Sequence, residues 1–145
     1  MTAESLYSYS DLLHDAAERW GLSVLPGRPL IGLPPVCEGT GEGIVGNPYA
    51  AEPIPDSEVW TFDKDRVRCT VRLFVFNGRW GYSLDYTDTK QGFGYGNFLK
   101  FCRPHPTRID ALADVPNELR RRRDVDPVVI RWAQTLSEPQ QMTLF

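Results

Sequence analysis

Two chain reversals between residues 59 and 86 leave this sequence little freedom in how it folds. Asn77-Gly78 lies between two runs rich in β-branched and aromatic residues. Asn-Gly favours a type I′ turn, in which both central residues take positive φ, and a two-residue loop sets the pairing of the flanking strands. Val75 then falls opposite Trp80, Leu73 opposite Tyr82, Val71 opposite Leu84 and Cys69 opposite Tyr86. Side chains alternate along a strand, so all of these share one face. Lys64-Asp65 reads as a second two-residue turn, between strands at Val59–Asp63 and Arg66–Phe76. It puts Phe62 opposite Val67 and Trp60 opposite Cys69, again on that face. Two independent turns therefore agree on one apolar face and on a meander completed by a strand from Arg79 to Tyr86.

The opposite face carries Arg68, Thr70, Arg72, Phe74, Phe76, Arg79, Ser83 and Asp85. Phe74 falls opposite Gly81, a pairing in which an aromatic ring covers a strand glycine. Phe76 and Arg79 are cross-strand neighbours with the geometry for a cation–π contact. Arg68, Arg72, Phe74, Phe76 and Arg79 together are the candidate nucleic-acid-binding set, with guanidiniums on phosphates and rings under the bases of a single strand. The competing expectation is that another element covers this face, or that Asp63, Asp85 and Asp88 pair with the arginines.

Residues 8–20 have helical periodicity. Ser8 or Ser10 can cap the helix, Leu12, Leu13, Ala16, Ala17 and Trp20 form its apolar stripe, and Gly21 ends it. Residues 25–58 hold seven prolines and six glycines, which argues against regular helix and for a long irregular segment. Leu30-Ile31-Gly32-Leu33 is a candidate short strand within it. Thr87 to Asn97 reads as a loop, and Phe98 to Cys102 as a fourth strand. Thr107 is placed to cap a helix through about Ala113, and Pro116 to kink it or open a new helix toward Arg123. Asp126 and Pro127 start a final helix whose apolar side is Val128, Val129, Trp132, Ala133 and Leu136. The expected architecture is α+β: an N-terminal helix, a three- to four-stranded antiparallel meander, and C-terminal helices packed on one sheet face. Residues 1–136 read as a single globular domain, and residues 137–145 as a tail.

A chain of 145 residues with 41% hydrophobic and 12% aromatic content can bury a core. Its net charge of −3 means that any nucleic-acid contact has to come from a local patch. No run of apolar residues is long enough to span a membrane, and Met1-Thr2-Ala3-Glu4-Ser5 has no signal-peptide character. Three cysteines without close spacing suggest reduced thiols and a cytoplasmic location.

Reactive constellations are weak. Cys37, Cys69, Cys102 and His105 supply the atoms of a Cys₃His zinc site, but there is no Cys-x-x-Cys knuckle, and Cys69 falls on the apolar face. Cys37 and His105 are a nucleophile–base pair by residue type alone. Glu38-Gly39-Thr40-Gly41-Glu42-Gly43 lacks the Lys-Ser/Thr of a phosphate loop, and its glutamates repel phosphate. Arg120 to Arg123 is a run of four arginines suited to a helix C-terminus, a solvated surface or a phosphate backbone. No catalytic residue, metal or cofactor is expected from these patterns.

The last residues carry a different signal. After Ser137-Glu138-Pro139-Gln140 come Gln141, Met142, Thr143, Leu144 and Phe145. This order resembles the bacterial sliding-clamp-binding peptide, in which Gln, an aliphatic residue, a small polar residue, Leu and Phe run consecutively. Met142 stands where the family most often has Leu, and Thr143 where it usually has Ser or Asp. The resemblance implies that Leu144 and Phe145 fill an apolar pocket, that Gln141 sets register through its amide, and that Met142 adapts to the groove. It covers five residues and implies nothing about residues 1–136. The leading expectation is a non-enzymatic bacterial or mobile-element accessory protein that binds the replicative sliding clamp through its tail. The alternatives are a single-strand nucleic-acid module using the arginine-lined face, and a regulatory or counter-defence protein acting by protein contact through residues 25–58.

Overall fold

The computed structural model describes residues 15–24, 37–38, 45–46 and 53–138. Strands β1 (Ser23–Val24), β2 (Cys37–Glu38) and β3 (Val45–Gly46) form a small antiparallel sheet. Strands β4 (Glu58–Lys64), β5 (Val67–Phe76), β6 (Arg79–Thr87) and β7 (Gly92–Gly94) form the main antiparallel sheet, in sequence order. Helices α1 (Arg108–Arg121) and α2 (Pro127–Thr135) follow. This is the α+β meander with C-terminal helices expected from the sequence. Leu30–Leu33 lies outside the described residues, as does the 8–14 part of the helix expected at residues 8–20.

The β5–β6 hairpin has the register that Asn77-Gly78 requires. Cys69 pairs with Tyr86, Val71 with Leu84, Leu73 with Tyr82, Phe74 with Gly81 and Val75 with Trp80. Asn77 and Gly78 sit at φ 52° and 74°. The first hairpin departs from expectation. Its turn residues are Asp65 and Arg66, at φ 54° and 66°, rather than Lys64 and Asp65. Asp65 belongs to the turn in either register, and Lys64 pairs with Val67 to close the hairpin. Phe62 therefore pairs with Cys69 and Trp60 with Val71. Moving the turn by one residue shifts every partner by two, so side chains keep their faces.

On the first face, Val67, Cys69, Val71, Leu73, Tyr82, Leu84 and Tyr86 pack against Ala111, Leu112, Val115 and Leu119 of α1 and Val129 and Ala133 of α2. Thr107 caps α1 by accepting from the Asp110 N–H at 3.1 Å, and Asp126 caps α2 by accepting from Val128 at 3.0 Å. Between the two helices, the Tyr86 hydroxyl donates to Asp88 at 2.6 Å and accepts the Asp126 N–H at 3.0 Å. Pro116 neither breaks α1 nor opens a new helix; it lies inside a single helix, with its ring buried. The proline removes one i→i−4 bond, and the helix continues because its apolar face is held on the sheet.

The second face is covered as well. Residues 15–19 are helical, and Ala16, Ala17 and Trp20 are buried as their spacing implies. Trp20 lies 5.4 Å from the Phe74 ring and 6.3 Å from the Phe76 ring. Its indole N–H is shared between the carbonyls of Leu99 (3.2 Å) and Cys102 (3.1 Å). This bond explains why Phe98–Cys102 is not the fourth strand: the segment turns to present two carbonyls to Trp20. The fourth strand is β7, inside the expected loop. The Asp88 carboxylate accepts from the N–H groups of Lys90 (2.7 Å) and Gln91 (2.9 Å), reversing the chain so that Phe93 pairs with Tyr86.

Candidate functional site

Gln141, Met142, Leu144 and Phe145 lie outside the described residues. Helix α2 ends at a Leu136 cap, and the described chain stops at Glu138, which is exposed. Glu138 lines the rim of a cleft of 530 Å³ formed with Glu58, Trp60, Arg108, Ile109, Thr135, Leu136 and Ser137. Arg108 grips Glu58 with two bonds, from Nε at 2.5 Å and Nη2 at 2.7 Å, and its guanidinium sits 5.7 Å from the Trp60 ring centre. The bond from Arg108 holds the Glu58 carboxyl below its ordinary range.

The arginine–aromatic sheet face is not the open platform expected from the sequence. Phe74 is fully buried and Phe76 is 8% exposed, both beneath Trp20. Covered rings have no free surface for a base, so this set is corrected: Phe74 and Phe76 are core. Arg72 pairs with Asp85 across the β5–β6 ladder. Phe76 and Arg79 are cross-strand partners as read, but the Arg79 guanidinium lies against Gly21 at the end of the N-terminal helix. Arg68 is exposed at the opposite end of β5. The polar groups between these arginines are structural. Ser83 donates to the buried Asn97 amide at 2.6 Å, and Asn97 in turn donates to the Ile54 carbonyl (2.9 Å) and Asp56 (2.6 Å), fastening residues 54–56 to the sheet.

The two described thiols do not converge. Cys69 belongs to the core on the helix-covered face and Cys102 to the core on the other, so the sheet separates them. Burial pushes both thiols up to about 12, which keeps them protonated and unreactive near neutrality. The Cys37 side chain lies outside the described residues. His105 is occupied elsewhere. It forms a bridge with Trp80, places Nδ1 3.3 Å from the Trp80 carbonyl and Nε2 3.5 Å from Asp114, and stacks on Tyr82. Tyr82 donates to the same Asp114 carboxylate at 2.8 Å. The cluster ties β6, the segment before α1 and α1 itself together.

The arginine run closes α1. Arg121 and Arg122 share the Glu118 carboxylate, each at 3.1 Å, and Arg120 donates to the neutral Asn117 amide at 3.1 Å. The Arg122 guanidinium also lies 4.5 Å from the Phe93 ring centre. Phe93, Gly94, Tyr95, Phe101, Glu118 and Arg122 line a cleft of 270 Å³ beside it. The sequence does not group these residues, because a short strand, a turn and a helix end spread between positions 93 and 122 meet there. The aromatic density of residues 93–101 was the one visible signal.

No family model matches this chain, and neither a curated protein nor a solved structure matches it. Among the described residues, no helix is long and apolar enough to cross a membrane.

Proposed function

We propose that this chain is a non-enzymatic accessory protein of a bacterium or mobile element, and that it docks on the replicative DNA sliding clamp through Gln141, Met142, Leu144 and Phe145. The observation that carries this reading is the unbroken Gln-Met-Thr-Leu-Phe order at 141–145. The described fold is compatible with it. Among the described residues, fully buried apolar side chains run from Ala16 to Ala133, Leu136 packs partly buried on the first core, and Glu138 is exposed. An extended peptide loses conformational entropy when it binds, so its affinity has to come from a few concentrated anchors. Leu144 and Phe145 supply the apolar anchors, and the Gln141 amide donates and accepts in one place. The protein would share the cytoplasm with the clamp and compete with polymerases and repair factors for its peptide pocket.

Deleting residues 141–145 tests this directly. Clamp binding by surface plasmon resonance is expected to vanish while the thermal melt stays unchanged. A collapse of the melt would identify the tail as part of the core and overturn the reading.

A further inference from the structure

We propose that the outer edge of β4 is a homodimer surface, on which a second copy of this chain pairs its own β4 antiparallel to the first. β4 stands at the end of the main sheet, and among the described residues no strand lies against its outer side. The opposite edge is β7, a strand of three residues, two of them glycine. β4 runs for seven residues, with no proline and no break in its register with β5. Edge strands are ordinarily blunted by shortness, proline, bulges or charge. β4 has its charged residues at its ends, with Val59, Trp60, Thr61 and Phe62 in between. The two-residue turn at Asp65-Arg66 makes Lys64–Val67 a hydrogen-bonded pair. Alternation then turns the backbone groups of Glu58, Trp60 and Phe62 toward β5, and those of Val59, Thr61 and Asp63 outward. All three outward residues are exposed, Val59 by 50%.

The strand is complementary to itself, which selects a second copy as the occupant. A twofold contact brings the same patch of both copies together. Thr61, the middle residue of β4, has the outward backbone groups that an axis at this point needs. The axis pairs Thr61 with Thr61 of the second copy and Val59 with Asp63, each pair exchanging both backbone bonds. It sets Trp60 opposite Phe62 and Glu58 opposite Lys64, on the helix-covered face. Trp60 and Phe62 become a non-hydrogen-bonded pair, the kind in which cross-strand side chains come closest. Both rings are only partly buried against the first core, so pairing covers surface that the monomer leaves open. Glu58 is already held by Arg108, and its carboxylate comes to lie between that guanidinium and Lys64 of the second copy. Asp63 stays beside its β5 partner Arg68 and meets no carboxylate across the new ladder. An axis at Trp60 or Phe62 would set Glu58 or Lys64 against an aromatic ring, and only the axis at Thr61 pairs all seven residues.

The test is sedimentation velocity of the full chain over a range of concentrations, without a clamp, so the result is independent of the tail's role. One strand pair is a small interface, so the mass is expected to rise with concentration from 16.5 kDa toward twice that value. Thr61→Pro removes only an outward N–H, which an edge strand tolerates. It is expected to weaken self-association at least about tenfold, since the axis loses both Thr61 bonds, with a circular dichroism spectrum like the parent's. Register is read by cysteine cross-linking, which also serves if Thr61→Pro fails to fold. Paired Cα atoms about 5.5 Å apart lie within disulfide range. Thr61→Cys is therefore expected to form a 61–61 disulfide on mild oxidation, identified by peptide mass spectrometry. Val59→Cys and Asp63→Cys are expected to cross-link with each other when mixed, and neither with itself. A mass of one chain at every concentration would overturn the proposal. So would folded Thr61→Pro associating like the parent, or Val59→Cys cross-linking to itself while Thr61→Cys does not. Loss of the dimer in Leu144→Ala/Phe145→Ala would also overturn it, and would assign self-association to the tail.

Discussion

The Phe74 ring fills the space that a side chain at position 81 would need. A Cβ built on Gly81 lies 2.6 Å from Phe74 Cζ and 2.7 Å from Trp20 Cη2. Both rings are fully buried and neither can withdraw without opening the second core. Gly81→Ala is therefore expected to destabilise the fold by about 1–3 kcal/mol through overpacking. Urea denaturation checks this, and a midpoint equal to the parent's would refute the tight Phe74–Gly81–Trp20 contact.

The β5–β6 turn is also a cap for the N-terminal helix. Asn77 Nδ2 donates to the carbonyls of Trp20 (2.7 Å) and Gly21 (3.2 Å). Asn77→Asp keeps the shape and the tolerance of positive φ, and replaces a donor by a carboxylate facing two carbonyls. A loss of about 1–3 kcal/mol is expected at pH 7, partly regained at acid pH where the carboxyl becomes a donor. Chemical denaturation at both pH values measures it.

Glu58 and Arg108 predict a pH dependence of definite sign. Arg108 lowers the Glu58 carboxyl from its ordinary value of 4.5. A depressed folded-state value means that the stabilisation is present above the unfolded value and is lost as pH falls through the folded one. The parent should exceed Glu58→Gln in stability at pH 7, by less than about 1 kcal/mol because both groups are over a third exposed. The gap should shrink steadily below pH 4.5. Thermal melts across that range would contradict the pairing if the gap grew in acid.

Cys69 and Cys102 should resist alkylation in the native protein at pH 8, since burial raises both thiols to about 12. Denaturant should expose both. Mass spectrometry of the two cysteine-containing peptides before and after denaturation separates the outcomes, and rapid native labelling of Cys69 would place it outside the core.

The legible parts of this fold were those decided locally. Asn77-Gly78 dictated its hairpin because the turn chemistry and the alternating pattern act over adjacent residues. Thr107 and Asp126 announced their helices for the same reason. Lys64-Asp65 was read one residue early, since Asp65 suits either turn position by residue type, and only the closing Lys64–Val67 pair decides between them. What escaped depends on contacts far apart in sequence. Phe74 and Phe76 resembled a binding surface until Trp20, more than fifty residues earlier, was placed on them. Phe98–Cys102 has strand-like composition, and the Trp20 indole bends it into a turn. The cleft of Phe93, Phe101 and Arg122 is assembled by the Asp88 turn and the end of α1, which no periodicity connects.

Calorimetric titration of a bacterial sliding clamp with the intact protein and with Leu144→Ala/Phe145→Ala bears most directly on the clamp-tethering account. Saturable binding by the intact protein and none by the variant is the predicted result. No heat of binding from the intact, folded protein would contradict it.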